Sequence, residues 1–294
     1  MRMLAIATAA LAAMLQAGVP MALRQASGSE GPSGTSRWIP AELAQRIAAD
    51  QRRSFAYRRR RLVEDIRWWV READPRADNA CLERVLTAIG ATRRERFVPS
   101  QAMQLAYLPM PLNIGYGQTI SDAYTVAVMT AELRLPAKAE VLDVGTGSGY
   151  QAAILSRLAH GVSSIEIVRP LADQAGARLR RLGYRNVEVR AGDGFAGWPE
   201  RAPFDGIVVA AGAARVPEPL FDQLKPHGRL VMPIGPTGPQ EQLLVFTKSA
   251  NGAIKRCSLG WRMFVPLTGA GKRAADGQQP MGRTVPRCHA ADLT

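Results

Sequence analysis

Three acidic residues stand near the ends of successive apolar segments, where carboxylates could bind the hydroxyl and amino groups of a nucleoside. Asp143 lies near the end of the first segment, Glu166 at the end of the second, and Asp193 shortly after the third. Because parallel strands end at one edge of a sheet and open sheets bind ligands there, we expect these side chains to converge. Each could separately be a helix cap or a turn residue. Their shared placement favours a nucleoside-binding site.

A glycine-rich turn, with Gly145, Gly147 and Gly149, directly follows the first of these segments. Glycine removes side chains from a turn, so a strand, this turn and a helix in succession let the backbone approach a nucleotide-like ligand. The spacing departs from the dinucleotide-binding fingerprint, since the third glycine comes one residue early. The turn therefore indicates a class of ligand without identifying the ligand.

The elements that must position these residues alternate between strands and helices, which predicts an α/β fold with a doubly wound, mostly parallel, Rossmann-like sheet. We predict strands over residues 140–144, 162–168, 187–190, 204–211 and 229–234. Amphipathic helices are predicted over 148–160, 170–182 and 217–224. After Gly235, two strand-like segments, 242–248 and 254–265, flank Asn251-Gly252, which predicts an antiparallel C-terminal hairpin.

The region before the sheet has a helical pattern. Apolar residues at spacings of three and four predict a helix that Asp74-Pro75 breaks, and Asp78 or Asn79 can cap a second helix that stops near Gly90. A loop-rich stretch follows, and another helix starts near Ser121. We divide the chain into a leader and flexible linker (1–36), a helical N-terminal cap (37–96), a core (97–269) and a disordered tail (270–294).

Composition excludes several classes of protein. With 294 residues and 47% hydrophobic content the chain is globular rather than disordered. The net charge of +13 would suit nucleic acid, but much of it comes from the arginines between residues 52 and 61, which we interpret as a solvated helix face. We therefore expect no nucleic-acid partner.

Cysteine and histidine residues do not indicate a metal site. Cys81, Cys257 and Cys288 are odd in number and lack CxxC spacing, so neither a disulfide framework nor a zinc site is predicted. The three histidines are scattered, with no spacing typical of a metal site or a catalytic dyad. We expect no metal.

The first residues resemble a targeting segment. An apolar run over residues 3–15 follows Met1 and Arg2; it has the length of a signal-peptide core and is too short to span a bilayer. A good cleavage site is missing, and the arginines up to residue 61 are a poor segment to export. Export and an amphipathic or spurious leader both stay open, and no stable membrane insertion is expected.

Several sequence blocks resemble the protein-L-isoaspartate (D-aspartate) O-methyltransferase family. They include Gly117-Gln118-Thr119-Ile120-Ser121, residues 141–151, 186–194, 198–205 and 223–235, and the similarity extends from about residue 60 to residue 268. The 117–121 block is the discriminating one, because glycine turns with acids occur in many methyltransferases. The resemblance implies a class I S-adenosylmethionine-dependent methyltransferase fold.

The resemblance also implies an activity and a site. The activity is transfer of a methyl group from S-adenosylmethionine to the free carboxylate of an L-isoaspartyl or D-aspartyl residue in damaged proteins. Ser121 would be the active-site hydroxyl, although it could instead cap the following helix. The donor would contact Gln118, Thr119 and Ile120, with Asp143, Gly145, Thr146 and Gly147 at its methionine end, Glu166 at the ribose, Asp193 and Gly194 at the adenine, and Thr268 closing the site.

Two other functions share the same donor fold: a methyltransferase for RNA or a small molecule, and a non-catalytic S-adenosylmethionine-binding module. The chain departs from the family in its long leader and at Arg93-Arg94, where the family more often has a proline before the arginine. We expect a monomer that acts on isoaspartyl proteins and peptides. The cytoplasm is the expected compartment, because the donor is made there, and the periplasm is the alternative.

Overall fold

The computed structural model of the protein describes residues 52–77, 79–236, 241–270 and 285–288. The chain divides into two units, residues 1–54 and 55–294, and every element below belongs to the second. The predicted leader and linker lie outside the described residues, as does the first part of the predicted helical cap.

The elements follow one another in the order that an α/β fold requires. The strands are β1 (Leu112–Gly115), β2 (Gln118–Ile120), β3 (Glu140–Val144), β4 (Gly161–Glu166), β5 (Val187–Ala191), β6 (Phe204–Val209), β7 (Leu224–Ile234), β8 (Glu241–Lys248) and β9 (Ile254–Arg262). The helices are α1 (Phe55–Ala73), α2 (Ala80–Ala91), α3 (Ala123–Glu132), α4 (Tyr150–Leu155), α5 (Arg169–Arg181) and α6 (Glu218–Asp222).

One seven-stranded sheet has the order β5-β4-β3-β6-β7-β8-β9. Strands β3 to β7 pair in parallel, and β8 and β9 add two antiparallel strands at one side. This confirms the predicted doubly wound sheet with its antiparallel hairpin. The chain leaves β3 for β4 on one side and later returns to β6 on the other, so a crevice forms at the carboxyl end of β3. Glu166 and the glycine turn lie at this edge.

Element bounds differ from the prediction where side chains intervene. Strand β4 ends at Glu166 rather than at residue 168, because the Glu166 carboxylate accepts a hydrogen bond from the Val168 amide and the chain turns into α5. Strand β7 begins at Leu224, five residues early, where Leu224 pairs with Phe204 across an irregularity in register. Helix α4 is one and a half turns long, shorter than the predicted 148–160.

A small hairpin occupies part of the stretch that the sequence predicted to be loop. Strands β1 and β2 pair antiparallel, with Leu112 opposite Ile120. Three successive residues with positive φ, Gly115, Tyr116 and Gly117, make the turn. The prolines and glycines of this stretch conceal the strands, because a four-residue and a three-residue strand carry too little alternation to be detected.

The helices before the sheet share the core of the fold. Helix α1 buries Leu62, Ile66 and Val70, and the Asn79 side chain caps α2 by accepting hydrogen bonds from the amides of Cys81 and Leu82, as predicted. The prediction of a solvated arginine face was wrong at Arg58. Its side chain is only 2% exposed, donates to the carbonyl of Gln104, and stacks on Phe55.

The prediction for the cysteines was also wrong for one pair, since Cys257 of β9 and Cys288 form a disulfide. The cysteines are 31 residues apart and have no motif spacing, so sequence reasoning could not pair them. Residues 285–288, in the predicted disordered tail, are ordered against β9: Ser258 N–H donates to the Pro286 carbonyl, and Cys288 N–H donates to the Ser258 carbonyl. Within the described residues, no helix is long and apolar enough to cross a membrane.

Candidate active site

A cavity opens at the carboxyl end of β3. Five chain segments at or beside strand ends line it: residues 118–121, 144–148 with 150–151, 165–167, 210–211 and 265–268. Val126 and Met129 of α3 and Gly194 complete the wall. Because the segments come from both sides of the strand-order reversal, the cavity occupies the place where open α/β sheets bind ligands.

The glycine turn forms the floor of the cavity. Gly145, Gly147 and Gly149 have φ values of 95°, 51° and 88°. Residues other than glycine rarely adopt this backbone conformation. The amides of Gly145 and Thr146 donate to the Ile165 carbonyl, at 2.8 and 3.2 Å, which ties the turn to β4. A Cβ on Gly147 would lie 3.3 Å from Ile114 Cδ1 of the β1–β2 hairpin. The turn therefore needs glycine for its conformation and for its close packing.

Glu166 forms the rim beside the turn and is 5% exposed. Its Oε2 accepts a hydrogen bond from the Gly147 amide at 2.8 Å, and its Oε1 accepts one from the Val168 amide at 2.9 Å. Each carboxylate oxygen can accept a second hydrogen bond, so the side chain is held rigidly while it keeps acceptor capacity towards the cavity. An acceptor held in this way suits a ligand that donates hydrogen bonds from hydroxyl groups.

Asp143 lies beneath the turn and outside the cavity lining. Its side chain is fully buried, and its Oδ2 accepts a hydrogen bond from Ser164 Oγ at 2.8 Å. Ser164 Oγ is in turn 2.6 Å from Thr146 Oγ1, which joins the carboxyl to the glycine turn. Burial raises the pKa of Asp143 to about 7; the hydrogen bond from Ser164 lowers the pKa, and the charge of Glu166 raises it further.

Asp193 is covered by the segment that follows β9. Its Oδ1 accepts a hydrogen bond from the Phe195 amide at 2.9 Å, and its Oδ2 accepts one from the Ala270 amide at 2.7 Å. The neighbouring Gly194 does line the cavity, and a Cβ there would collide with Val144. Asp193 thus stands behind the wall to which Gly194 contributes.

The C-terminal segment closes one side of the cavity. The Gly212 amide donates to the Val265 carbonyl at 2.9 Å, and the Leu267 amide donates to the Gly212 carbonyl at 2.7 Å. These two hydrogen bonds hold the segment against the chain that leaves β6, and Thr268 reaches the cavity wall. That Thr268 closes the site over a ligand stays a prediction.

Ser121 lines the cavity and directly follows β2. The alternative that Ser121 caps the next helix is wrong, because Asp122 is the N-cap of α3. Asp122 Oδ1 accepts from the Thr125 amide at 2.9 Å, and its Oδ2 accepts from Thr125 Oγ1 at 2.8 Å. With the cap supplied by its neighbour, the Ser121 hydroxyl is not required for the helix.

The comparisons with known proteins agree on one family. The family model for protein-L-isoaspartate(D-aspartate) O-methyltransferase matches residues 76–272. A protein-L-isoaspartate O-methyltransferase 2 from Syntrophobacter fumaroxidans is 48% identical over 212 residues, which are 72% of this chain and 86% of that protein. Another, from Nitrosococcus oceani, is 54% identical over 186 residues, 63% of this chain and 84% of that protein. The chain belongs to the protein-L-isoaspartate (D-aspartate) O-methyltransferase family.

A solved structure of the family has the same fold. It is a protein-L-isoaspartate O-methyltransferase from Plasmodium falciparum in complex with S-adenosyl-L-homocysteine, with a TM-score of 0.60, 24% identity, and coverage of 71% of this chain and 98% of that one. The resemblance that the sequence blocks indicated is thereby confirmed, and so is the class I methyltransferase fold.

The family blocks converge on the cavity. Ten of the twelve residues that the sequence predicted for the site line it, namely Gln118, Thr119, Ile120, Ser121, Gly145, Thr146, Gly147, Glu166, Gly194 and Thr268. The two aspartates, Asp143 and Asp193, are not among the lining residues: Asp143 accepts a hydrogen bond from Ser164, and Asp193 accepts hydrogen bonds from the amides of Phe195 and Ala270. Both were chosen for their position at strand ends, which cannot show which way a carboxylate turns.

Several lining residues were not singled out from the sequence. Tyr150 and Gln151, within the block after the glycine turn, line the cavity, as do Ala210 and Ala211 after β6. The alanines had a detectable signal, because they follow a strand at the same edge as the acids. Gln151 is held by a hydrogen bond from its Nε2 to Thr130 Oγ1 at 2.8 Å. Within the described residues, no group of three histidine, cysteine or acidic side chains could hold a metal ion.

Proposed function

We propose that this chain transfers a methyl group from S-adenosylmethionine to the α-carboxylate of an L-isoaspartyl residue, or to the side-chain carboxylate of a D-aspartyl residue, in damaged proteins. The observation that carries the proposal is the position of the 118–121 block. Ser121 and the glycine turn line the same cavity, which supports an acceptor held at Ser121 beside a donor held at the turn. Family membership supports the same acceptor.

The cavity fits the donor. We assign Gly145, Thr146 and Gly147 to its methionine end, with Asp143 holding the turn from below through Ser164. Glu166 would accept hydrogen bonds from the ribose, and Asp193 and Gly194 would form the adenine end. Gln118, Thr119, Ile120 and Thr268 would enclose the donor from the opposite wall. When bound, S-adenosylmethionine supplies a methyl group activated by its sulfonium sulfur.

The reaction depends on the positions of the acceptor carboxylate and the donor methyl group, and it does not need a strong base. One oxygen of the acceptor carboxylate forms a bond to the methyl carbon while the carbon–sulfur bond breaks, which leaves a methyl ester and S-adenosylhomocysteine. Because the nucleophile is already an anion, no proton has to be removed. We assign Ser121 to donate a hydrogen bond to the other carboxylate oxygen, which orients the nucleophile, and the apolar walls at Val126 and Met129 to exclude water.

Esterification would start repair. The methoxy group of the ester leaves far more readily than the oxygen of a free carboxylate. The backbone amide nitrogen of the following residue therefore attacks the ester carbonyl carbon, and methanol leaves as the succinimide ring closes. Hydrolysis of this ring returns some normal aspartate, and repeated cycles shift the protein towards the repaired form.

The setting of the reaction is also part of the proposal. We propose a monomer that acts on protein chains and does not need nucleic acid, consistent with the use of Arg58 inside the core. The Cys257–Cys288 disulfide favours an oxidising compartment, whereas donor synthesis favours the cytoplasm. We propose the cytoplasm, because the enzyme cannot turn over without its donor, and the periplasm is the alternative that the disulfide favours. Separation of periplasmic from cytoplasmic protein tests this, and recovery of the enzyme in the periplasmic fraction would contradict the proposal.

Mass spectrometry of the product tests the reaction itself. After incubation with the donor, an isoaspartyl peptide should gain the mass of one methylene group, lose it in mild alkali, and pass through a succinimide. A stable gain of mass would indicate methylation of nitrogen or carbon, and it would contradict ester formation.

A further inference from the structure

A buried arginine outside the cavity connects the parts of the site. Arg94 follows α2 in a short helical turn, and its side chain is 1% exposed. It does not line the cavity. The neighbouring Arg93, where the chain departs from the family, is exposed, so the departure lies on the surface and Arg94 lies in the interior.

The Arg94 guanidinium holds two stretches of backbone with one rigid fork. Its Nε donates to the Ala106 carbonyl at 2.8 Å, and one terminal nitrogen donates to the Ser121 carbonyl at 2.7 Å. The second bond fixes the peptide plane between Ser121 and Asp122. Because that plane follows directly from the Cα of Ser121, it also sets the direction in which the hydroxyl projects.

The same guanidinium reaches the donor side of the site. Its central carbon lies 4.7 Å from the centre of the Tyr150 ring, and Tyr150 opens α4 and lines the cavity. The other terminal nitrogen of Arg94 and the Tyr150 hydroxyl are both buried, and the two side chains interact with each other electrostatically. Burial lowers the pKa of the Arg94 guanidinium, and the nearby Tyr150 and Asp122 oppose this shift. An arginine kept at such a cost of desolvation is expected to have a specific task.

We propose that Arg94 is a positioning residue for methyl transfer, which aligns the Ser121 wall with the donor wall at Tyr150. This inference rests on the proposed role of Ser121. Its consequence is that Arg94 controls turnover through geometry, while the contacts that bind the donor, at Glu166 and the glycine turn, do not include it.

Arg58 supplies a matched control. Like Arg94, Arg58 is buried, with 2% exposure, and donates a hydrogen bond to a backbone carbonyl, here that of Gln104. Its guanidinium also stacks on aromatic rings, those of Phe55 and Tyr107. The contacts of Arg58 with Gln104, Phe55 and Tyr107 all lie outside the cavity lining. Replacing either arginine by lysine keeps the positive charge but loses the fork that spans two acceptors. Both lysine variants should therefore lose stability. Only Arg94→Lys should also disturb the position of Ser121 relative to the donor.

The test compares Arg94→Lys and Arg58→Lys at a temperature where both are folded. We expect Arg94→Lys to lower kcat for an isoaspartyl peptide by about 100-fold, the cost of misplacing a reacting group by roughly 1 Å, with unchanged donor affinity in calorimetry. Arg58→Lys should keep the kcat of the unaltered enzyme. In a Ser121→Ala background, Arg94→Lys should cost little more, because both changes disturb one interaction.

Equal kcat for Arg94→Lys and the unaltered enzyme would overturn the proposal, as would equal losses in the two lysine variants or additive losses in the double variant. Methylation of the peptide by the unaltered enzyme reports separately on the proposed function. The role of Arg94 is read only from the ratio between variant and unaltered enzyme.

Discussion

At the scale of single residues, neighbours along the chain divide the work of the site between them. Asp122 caps α3, so Ser121 can face the cavity; Glu166 stands on the rim, while Asp143 supports the turn from below. Residue types at strand ends predicted the location of this chemistry. They could not predict which of Ser121 and Asp122 caps the helix, or which of Asp143 and Glu166 reaches the cavity. The members of each pair differ in the direction of the side chain, which residue type does not reveal.

Ser121→Ala should lower kcat by about 10- to 100-fold and leave donor affinity unchanged, because one hydrogen bond to a charged carboxylate is lost. Steady-state kinetics and calorimetry measure the two quantities. Asp122→Ala is the contrasting variant: it should lower the free energy of unfolding by about 1 kcal/mol through loss of the cap. A fully active Ser121→Ala enzyme would remove Ser121 from the mechanism.

Glu166→Gln should weaken donor binding by about 10- to 100-fold. Glutamine has one acceptor oxygen in place of two, and its amino group would face the amide of Gly147 or Val168. Glu188→Gln, at an exposed position on β5 where Glu188 pairs with Arg201, is the control and should leave donor affinity unaltered. Similar affinities for the two variants in calorimetry would show that Glu166 does not bind the ribose.

The pKa of Asp143 predicts a pH dependence of stability. Since the folded-state pKa, about 7, exceeds the unfolded value of about 4, the folded protein binds more protons between these limits. Stability contributed by the protonated carboxyl is present at low pH and is lost as pH rises towards 7. Asp143→Asn should remove this loss. The free energy of unfolding of the variant, relative to that of the unaltered, donor-free protein, should therefore rise by as much as about 4 kcal/mol between pH 4 and pH 7. Denaturation at each pH measures both free energies. An equal pH dependence for the variant and the unaltered protein would contradict the raised pKa of Asp143.

At the scale of elements, the hydrophobic pattern predicted the central strands well because they are buried on both faces. Strand β3, whose residues 141–144 are all buried, has its predicted bounds, and β6, with five of its six residues buried, begins where predicted. Strand β5 also begins where predicted, although it lies at the edge of the sheet and is only partly buried. The pattern failed for the β1–β2 hairpin, whose strands are too short to alternate, and for the Arg58 side of α1. A charged residue that is satisfied by backbone carbonyls and aromatic rings looks like a solvated one in a sequence.

The glycine turn makes a prediction at this scale, because Gly147 combines a positive φ with packing against Ile114 of the β1–β2 hairpin. Gly147→Ala should weaken donor binding by at least about 10-fold and should cost about 1 kcal/mol of stability. Gly183→Ala is a matched control, since Gly183 also has a positive φ but no atom lies near its Cβ position. It should show the loss of stability alone. Unchanged donor affinity in Gly147→Ala would contradict the role of the turn.

At the scale of the whole molecule, the two halves of the chain enclose one site. Residues 118–121 line it from the part of the chain before β3, and the turns after β3, β4 and β6 line it from the later part. We propose that the acceptor binds at Ser121 and the donor at these turns. The last described residues are tied to β9 by the Cys257–Cys288 disulfide and by two backbone hydrogen bonds. Sequence patterns predicted the sheet but not this attachment, because it joins segments that share neither periodicity nor motif.

The most direct test of the central claim compares two peptides that differ only in one linkage. The purified protein is incubated with labelled S-adenosylmethionine and either an isoaspartyl peptide or its normal aspartyl twin, with RNA as a third acceptor. We expect label in the isoaspartyl peptide, in a form that mild alkali releases, and background levels in the other two. Equal labelling of both peptides, labelling of RNA, or no labelling at all would contradict the account.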